Sequence, residues 1–299
     1  MKKASLILSS ALLIGLLAGC GNSGNDAAAP TASPSNAPAE ATATADAGAG
    51  AETGAYEDGT YYGTIPAEEG WQTYVLLTVE GGAIKTVDWN AFNVTNAGDL
   101  KKKVSEEGKY GMKEKGGAQA EWHEQAKIAE DFLVESQDPA ALTYDNDGYT
   151  DAVSGVSVHV NDFVESVEAA LAAGPVQAGP YKDGGYYAEG EMDANSGWKS
   201  TATVSVVNGN IAAAKFSGLN AAGEDKQQFS ADGKYGMKEK GGAQAEWHEQ
   251  AIAAQKYFVE NQGAAPAFDA EGKTDAISGV SVHIDEYWNL AEQALEGAK

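Results

Sequence analysis

The chain has 299 residues, with 44 acidic against 20 basic side chains and a formal net charge of −24. That balance excludes nucleic-acid binding, which needs a basic footprint, and leaves no polybasic patch for docking on anionic lipid. A single cysteine in the whole sequence excludes a scaffold held by internal disulfides.

The chain opens with Lys2 and Lys3, an apolar run from Leu6 to Leu17, and L-A-G-C ending at Cys20. This pattern predicts a lipoprotein signal peptide over residues 1–19, with Cys20 as the lipid-modified N-terminus after cleavage. The apolar run is short for a membrane span. The expected location is the outer face of the cell membrane, with the lipid on Cys20 as the attachment. Residues 20–55 are mostly Gly, Ala, Ser, Thr, Pro and Asn without apolar periodicity. They are expected to form a disordered tether with an r.m.s. span of roughly 30–35 Å.

The rest of the sequence is written twice. Y-E-D-G-T-Y-Y at Tyr56 matches Y-K-D-G-G-Y-Y at Tyr181, and K-Y-G-M-K-E-K-G-G-A-Q-A-E-W-H-E-Q-A is unchanged at Lys109–Ala126 and Lys234–Ala251. We therefore expect a first domain over 56–174, a linker over 175–180 and a second domain over 181–299. In the first copy, Gly59–Ile65, Tyr74–Glu80 and Ala83–Phe92 read as strands, with Gly81-Gly82 as a hairpin turn. Ala118–Ser136 reads as a helix, because Trp122, Ala126, Ala129 and Leu133 share one face. Asp138-Pro139 ends it, and a last helix covers about Asp162–Leu171. The second copy repeats the strands at Thr201–Val207 and Asn210–Phe216, around Asn208-Gly209. Strands first and helices later predict an α+β fold with an antiparallel sheet and packed helices in each copy.

Just before the last helix lies D-A-V-S-G-V-S-V-H-V at Asp151, and D-A-I-S-G-V-S-V-H-I at Asp275. The spacing places Ser157 and Ser281 at or just before a helix N-terminus, where free N–H groups favour a phosphate. Gly155 and Gly279 permit close backbone approach. Read from the residues alone, a serine in this position is usually a helix N-cap. Asp151 and Asp275 read as turn caps.

The D-x-x-S-G-V-S turn resembles the D-x-x-[ST]-G-A-[ST] motif of FMN-binding domains of the Rnf and sodium-pumping NADH:quinone reductase type. Asp151, Ser154, Gly155, Val156 and Ser157 match it in the first copy. Asp275, Ser278, Gly279, Val280 and Ser281 match it in the second. Both valines stand where the family usually has alanine. The resemblance implies that a flavin transferase esterifies FMN, through its phosphate, to Ser157 and Ser281, with the aspartates serving that reaction. Two such domains on a lipoprotein resemble the flavinylated lipoproteins of Gram-positive extracellular electron transfer. They imply a carrier that takes electrons from a membrane NADH:quinone-type dehydrogenase or quinol and passes them to extracellular acceptors. A solute-binding or structural cell-envelope lipoprotein is the alternative.

On this reading Trp122 and Trp247 offer a ring for the flavin to stack on, while His123 and His248 reach its polar edge. The competing reading makes each tryptophan a core anchor and each histidine a hydrogen-bonded helix residue. A zinc-peptidase H-E-x-x-H fails, since Lys127 and Ile252 occupy the second histidine position. No spacing of His123, His159 and Glu124 demands a metal. The loop Met112–Gly117, repeated at Met237–Gly242, either cradles a phosphate or is a solvated lead-in to the helix.

Overall fold

The computed structural model describes residues 55–299. The signal peptide, Cys20 and nearly all of the tether lie outside the described residues. No described helix is long and apolar enough to cross a membrane.

The first copy is an antiparallel meander covered by helices. Strands β1 (Gly59–Thr64), β2 (Trp71–Glu80) and β3 (Ala83–Asn93) pair in that order. Gly81 and Gly82 close the β2–β3 hairpin with φ of 62° and 72°, values that favour glycine at both positions. Along β2 the alternation sends Val75, Leu77 and Val79 into the core beneath the helices. Tyr74 and Leu76 face the opposite side.

Helix α1 (Lys101–Glu106) follows β3 and had no counterpart in the sequence reading. Helix α2 runs Trp122–Ser136 and buries the expected stripe of Trp122, Ala126, Ala129 and Leu133. Its start is four residues later than the periodicity suggested, because Glu121 and Glu124 form a capping box there. Helix α3 (Asn161–Ala173) packs on β1 and β2.

The predicted linker is not a free spacer. Pro175–Val176 forms a short strand, β4, on the edge of β1. Beyond it, Gly179 N–H donates to Asn208 O and Tyr181 N–H to Gly209 O.

The second copy holds β5 (Gly184–Met192), β6 (Trp198–Val207) and β7 (Asn210–Asn220) in one antiparallel sheet. Its helices are α4 (Lys226–Ala231), α5 (Met237–Gly241), α6 (Trp247–Glu260) and α7 (Asp285–Leu295). The whole is α+β, with two antiparallel sheets and packed helices.

A separate apolar cluster joins the copies. Tyr74, Phe92, Ala97 and Leu100 of the first meet Val207 and Ala213 of the second. Ser205 Oγ accepts the Gly98 N–H at 2.8 Å and donates to Gly98 O at 2.9 Å, while Lys215 Nζ donates to Asn96 Oδ1.

Candidate functional site

Each motif turn lies against the first turns of the long helix of its own copy. Gln125 Oε1 accepts the Ser157 N–H at 2.6 Å and the Ser157 hydroxyl at 3.1 Å. In the second copy Gln250 Oε1 accepts the Ser281 N–H at 2.7 Å, its hydroxyl at 3.2 Å and the Val282 N–H at 3.2 Å. Both glutamines are buried and both serines are exposed. The glutamine oxygen thus does for the turn what a helix cap does for a helix.

The serines lie just before the last helices, but the helix-cap reading of them is corrected. The N-cap of α3 is Val160 and that of α7 is Ile284, neither with a side-chain cap bond. Ser157 and Ser281 therefore sit three residues before the cap and are not helix caps. Val160 and Ile284 are core residues, and burying them holds V-H-V and V-H-I out of the helix.

Asp151 and Asp275 are exposed, and neither carboxylate makes a hydrogen bond among the described residues. They do not cap the turn. Thr150 does: its Oγ1 donates to Thr143 O at 2.7 Å and accepts the Ala152 N–H at 3.0 Å, and Thr274 Oγ1 likewise accepts the Ala276 N–H. Ser154 and Ser278 are exposed. Gly155 and Gly279 have φ of 92° and 80°, so both positions require a residue tolerant of the left-handed region. Val156 packs against the first core and Val280 belongs to the second. The extra methyls over alanine anchor the turn from below.

Beside Ser157 lies a cavity of about 330 Å³, lined among others by Lys101, Tyr110, Met112, Trp122, His159 and Asp162. The second copy has a hollow of about 570 Å³ lined by the counterparts Lys226, Tyr235, Met237, Trp247, His283 and Glu286. Ser281 itself opens on an adjacent hollow with Thr274, Asp275 and Val280.

Inside each cavity an ammonium group stands among three aromatic rings. Lys101 Nζ is 4.5 Å from the Trp122 ring centre, 5.0 Å from Tyr110 and 6.0 Å from Trp71. Lys226 Nζ is 4.4 Å from Trp247, 5.4 Å from Tyr235 and 5.8 Å from Trp198. Neither has a hydrogen-bond or ion-pair acceptor among the described residues. Burial pushes both amines down to about 8, against a smaller opposing pull from Asp162 in the first copy and from Glu286 and Asp193 in the second. The sequence reading missed these lysines, because K-K-K reads as a solvated run. The available signal was Lys226, which keeps the first lysine of that run while the next two become glutamine.

Trp122 and Trp247 line the cavities but are only 4% and 3% exposed. Trp122 packs edge-on to Trp89, and a lysine ammonium sits over each indole. They are core anchors, and neither presents a bare face for stacking. His123 and His248 point elsewhere. Their Nδ1 atoms meet Ser105 and Ser230 at 2.9 and 3.0 Å, and each serine Oγ also accepts the histidine backbone N–H. His159 and His283 line the cavities instead.

The glycine-rich loop is already occupied. Glu121 accepts the Met112 and Lys113 N–H groups at 3.0 and 3.1 Å, and Glu246 does the same for Met237 and Lys238. A second anion has no free donor pair at those two positions, so the loop is a lead-in to the helix.

No family model matches the chain, and no curated protein matches it. Two solved structures resemble part of it. One is a protein of Clostridium thermocellum determined by solution NMR, 44% identical over 39% of this chain and 91% of its own, with a TM-score of 0.32. The other is a crystal structure of a Clostridium perfringens protein, 25% identical over 40% of this chain and 89% of its own, also with a TM-score of 0.32.

Proposed function

We propose that the chain is a cell-surface flavoprotein electron carrier, with FMN joined through its phosphate to Ser157 and Ser281. The observation that carries this reading is a constellation present in both copies. An exposed serine hydroxyl, fixed by a buried glutamine, stands beside a hollow that holds a lysine ammonium without a protein acceptor.

These residues fit the group. The serine hydroxyls are accessible to a second enzyme, and the φ > 0 glycines keep side chains away from the attachment point. The cavities offer aromatic walls and one cation, beside the Asp162 carboxylate in the first copy and those of Glu191, Asp193 and Glu286 in the second. In the first copy the buried Trp89 Nε1 also lacks a partner. An amide oxygen is too weak a base to activate the serine, so attachment requires a transferase. Ser157 Oγ would form the new P–O bond as AMP leaves FAD, with its proton passing to the transferase. The exposed Asp151 and Asp275 are free to contact that enzyme. When bound, FMN supplies reversible two-electron chemistry, and the protein sets its position and surroundings. A covalent link suits a carrier working outside the cell, where a dissociable cofactor is diluted away. The donor is a membrane NADH:quinone-type dehydrogenase or quinol, and the acceptors are extracellular.

The test is the intact mass of the full-length chain after exposure to a flavin transferase, FAD and magnesium. Two added FMN masses are expected, falling to one in Ser157→Ala or Ser281→Ala. No added mass, with and without the transferase, overturns the reading.

A further inference from the structure

We infer that Lys101 and Lys226 set the reduction potential of the flavin in their own copy, by holding an ammonium group against the ring end of the cofactor. The inference rests on the covalent FMN reading above and goes further, giving two residues outside the motif a defined task.

Three observations support it. The geometry is duplicated: each ammonium stands within about half an ångström of its counterpart's distances to the three equivalent rings. Such duplication is unexpected for a surface lysine, since the neighbouring Lys102 and Lys103 are replaced by Gln227 and Gln228. The second observation is that both ammonium groups lack an acceptor, although each carries three donors. Cation–π contact offsets only part of the cost of burial. A ligand with oxygen or nitrogen acceptors would complete the site.

The third concerns which end of the ligand the lysine meets. In the second copy Ser281 opens on one hollow while Lys226 lies in the next, across Val282 and His283. In the second copy the attachment end and the lysine are therefore separated by the width of the turn, whereas in the first Ser157 and Lys101 line one cavity, so for Lys101 the assignment rests on its matching aromatic cage. A phosphate on Ser281 leaves Lys226 to the far end of the molecule, the ring.

The electrical consequence follows from charge balance. Reduction takes two electrons from a quinol-class donor and one proton from solvent, so the ring gains one negative charge. A fixed ammonium among aromatic rings stabilises that charge more than it stabilises the neutral oxidised ring, against the opposing carboxylates of Asp162 in the first copy and Glu191, Asp193 and Glu286 in the second. The lysine transfers no proton and forms no bond.

The experiment uses the full-length chain loaded with FMN in one copy at a time. In the Ser281→Ala background, Lys101→Met and Lys101→Arg are compared with lysine by spectroelectrochemical titration at pH 7. Lys101→Met is expected to lower the preference for the reduced ring at least tenfold, a fall of about 30 mV for a two-electron couple. Lys101→Arg, which keeps the charge, recovers most of it. Lys226→Met and Lys226→Arg in the Ser157→Ala background repeat the result for the other copy. Intact mass and circular dichroism accompany each sample. An unchanged potential in a folded, flavinylated Met variant overturns the inference. So does loss of FMN from the Met variants alone, which assigns the lysines to attachment. Absence of FMN from the parent chain overturns the flavin reading itself, and this inference with it.

Discussion

Gln125 holds Ser157 at two points, accepting both its backbone N–H and its hydroxyl on a single oxygen. The same amide also donates from Nε2 to Ala120 O at 3.0 Å, so Gln125 ties the motif turn to the residue just before the capping box of α2.

That arrangement makes Gln125 the residue on which the placement of the serine depends. Gln125→Leu keeps the volume but leaves the Ser157 N–H without its partner. We expect a loss of about 1–3 kcal/mol of stability, read by urea denaturation. The rate of FMN attachment at Ser157 should fall while that at Ser281 is unaffected. Equal rates at the two serines in this variant would show that the glutamine does not position the hydroxyl.

A second prediction comes from a difference between the copies. Glu130, with its side chain 5% exposed, accepts the Trp89 N–H at 2.7 Å and pairs with Lys102. At the same place Gln255 accepts the Phe216 N–H at 2.9 Å and bonds Gln227. An ion pair in one copy is an amide pair in the other. Lys102→Gln alone strands a buried carboxylate and should cost about 3–5 kcal/mol. Burial already raises the Glu130 carboxyl against the pull of Lys102. Adding Glu130→Gln should restore most of the loss, because the second copy shows that the amide pair satisfies the strand N–H. A double-mutant cycle in urea measures both, and a double variant as unstable as Lys102→Gln would refute the equivalence.

The third prediction concerns pH. Both caged lysines are pushed down to about 8 by burial, while an unfolded lysine titrates near 10.4. Between those values the unfolded chain keeps protons that the folded chain has released, so stability rises with pH from about 8 to about 10. The gain should be about 2 kcal/mol per lysine between pH 7.5 and 9.5. Above about 10 the trend reverses. Buried Tyr74 and Tyr287, raised by desolvation, stay protonated while their unfolded counterparts ionise. Urea midpoints across this range test the slope, which should flatten when Lys101→Met and Lys226→Met are combined. An unchanged slope in that variant would exclude the lysines as its source.

Much of the fold was legible because its signals are local. Val75, Leu77 and Val79 alternate at the strand period, and the stripe from Trp122 to Leu133 follows the helical one. Gly81-Gly82 and Asn208-Gly209 mark hairpins by their backbone needs. The motif turn also stood out, through its glycine and its recurrence. Helix α1 was hidden because six residues, three of them lysine, carry no readable apolar period. Tertiary bonds fix it in place, from Lys102 to Asp88 and from Ser105 to the start of α2. The serine's distance from the helix depended on burying Val160, and periodicity alone does not say where a helix yields to such burial. Lys101 in its aromatic cage needs residues from β2, the loop before α2 and α2 itself, three segments that sequence spacing does not bring together.

The seam between the copies draws on different residues from each. The first contributes Tyr74, Leu76 and Phe92; the second contributes Val207, Ala212 and Ala213. At the strand positions equivalent to Tyr74 and Leu76, the second copy carries Thr201 and Thr203. The β6 face that carries these threonines already seats the first copy, since Thr203 lies beside Gly98 and Ser205 bonds it, so the seam joins an oily face to a partly hydroxylated one. The repeat in this chain is thus an asymmetric pair, in which one copy supplies the aromatic side of the seam and the other a side built from small and hydroxylated residues.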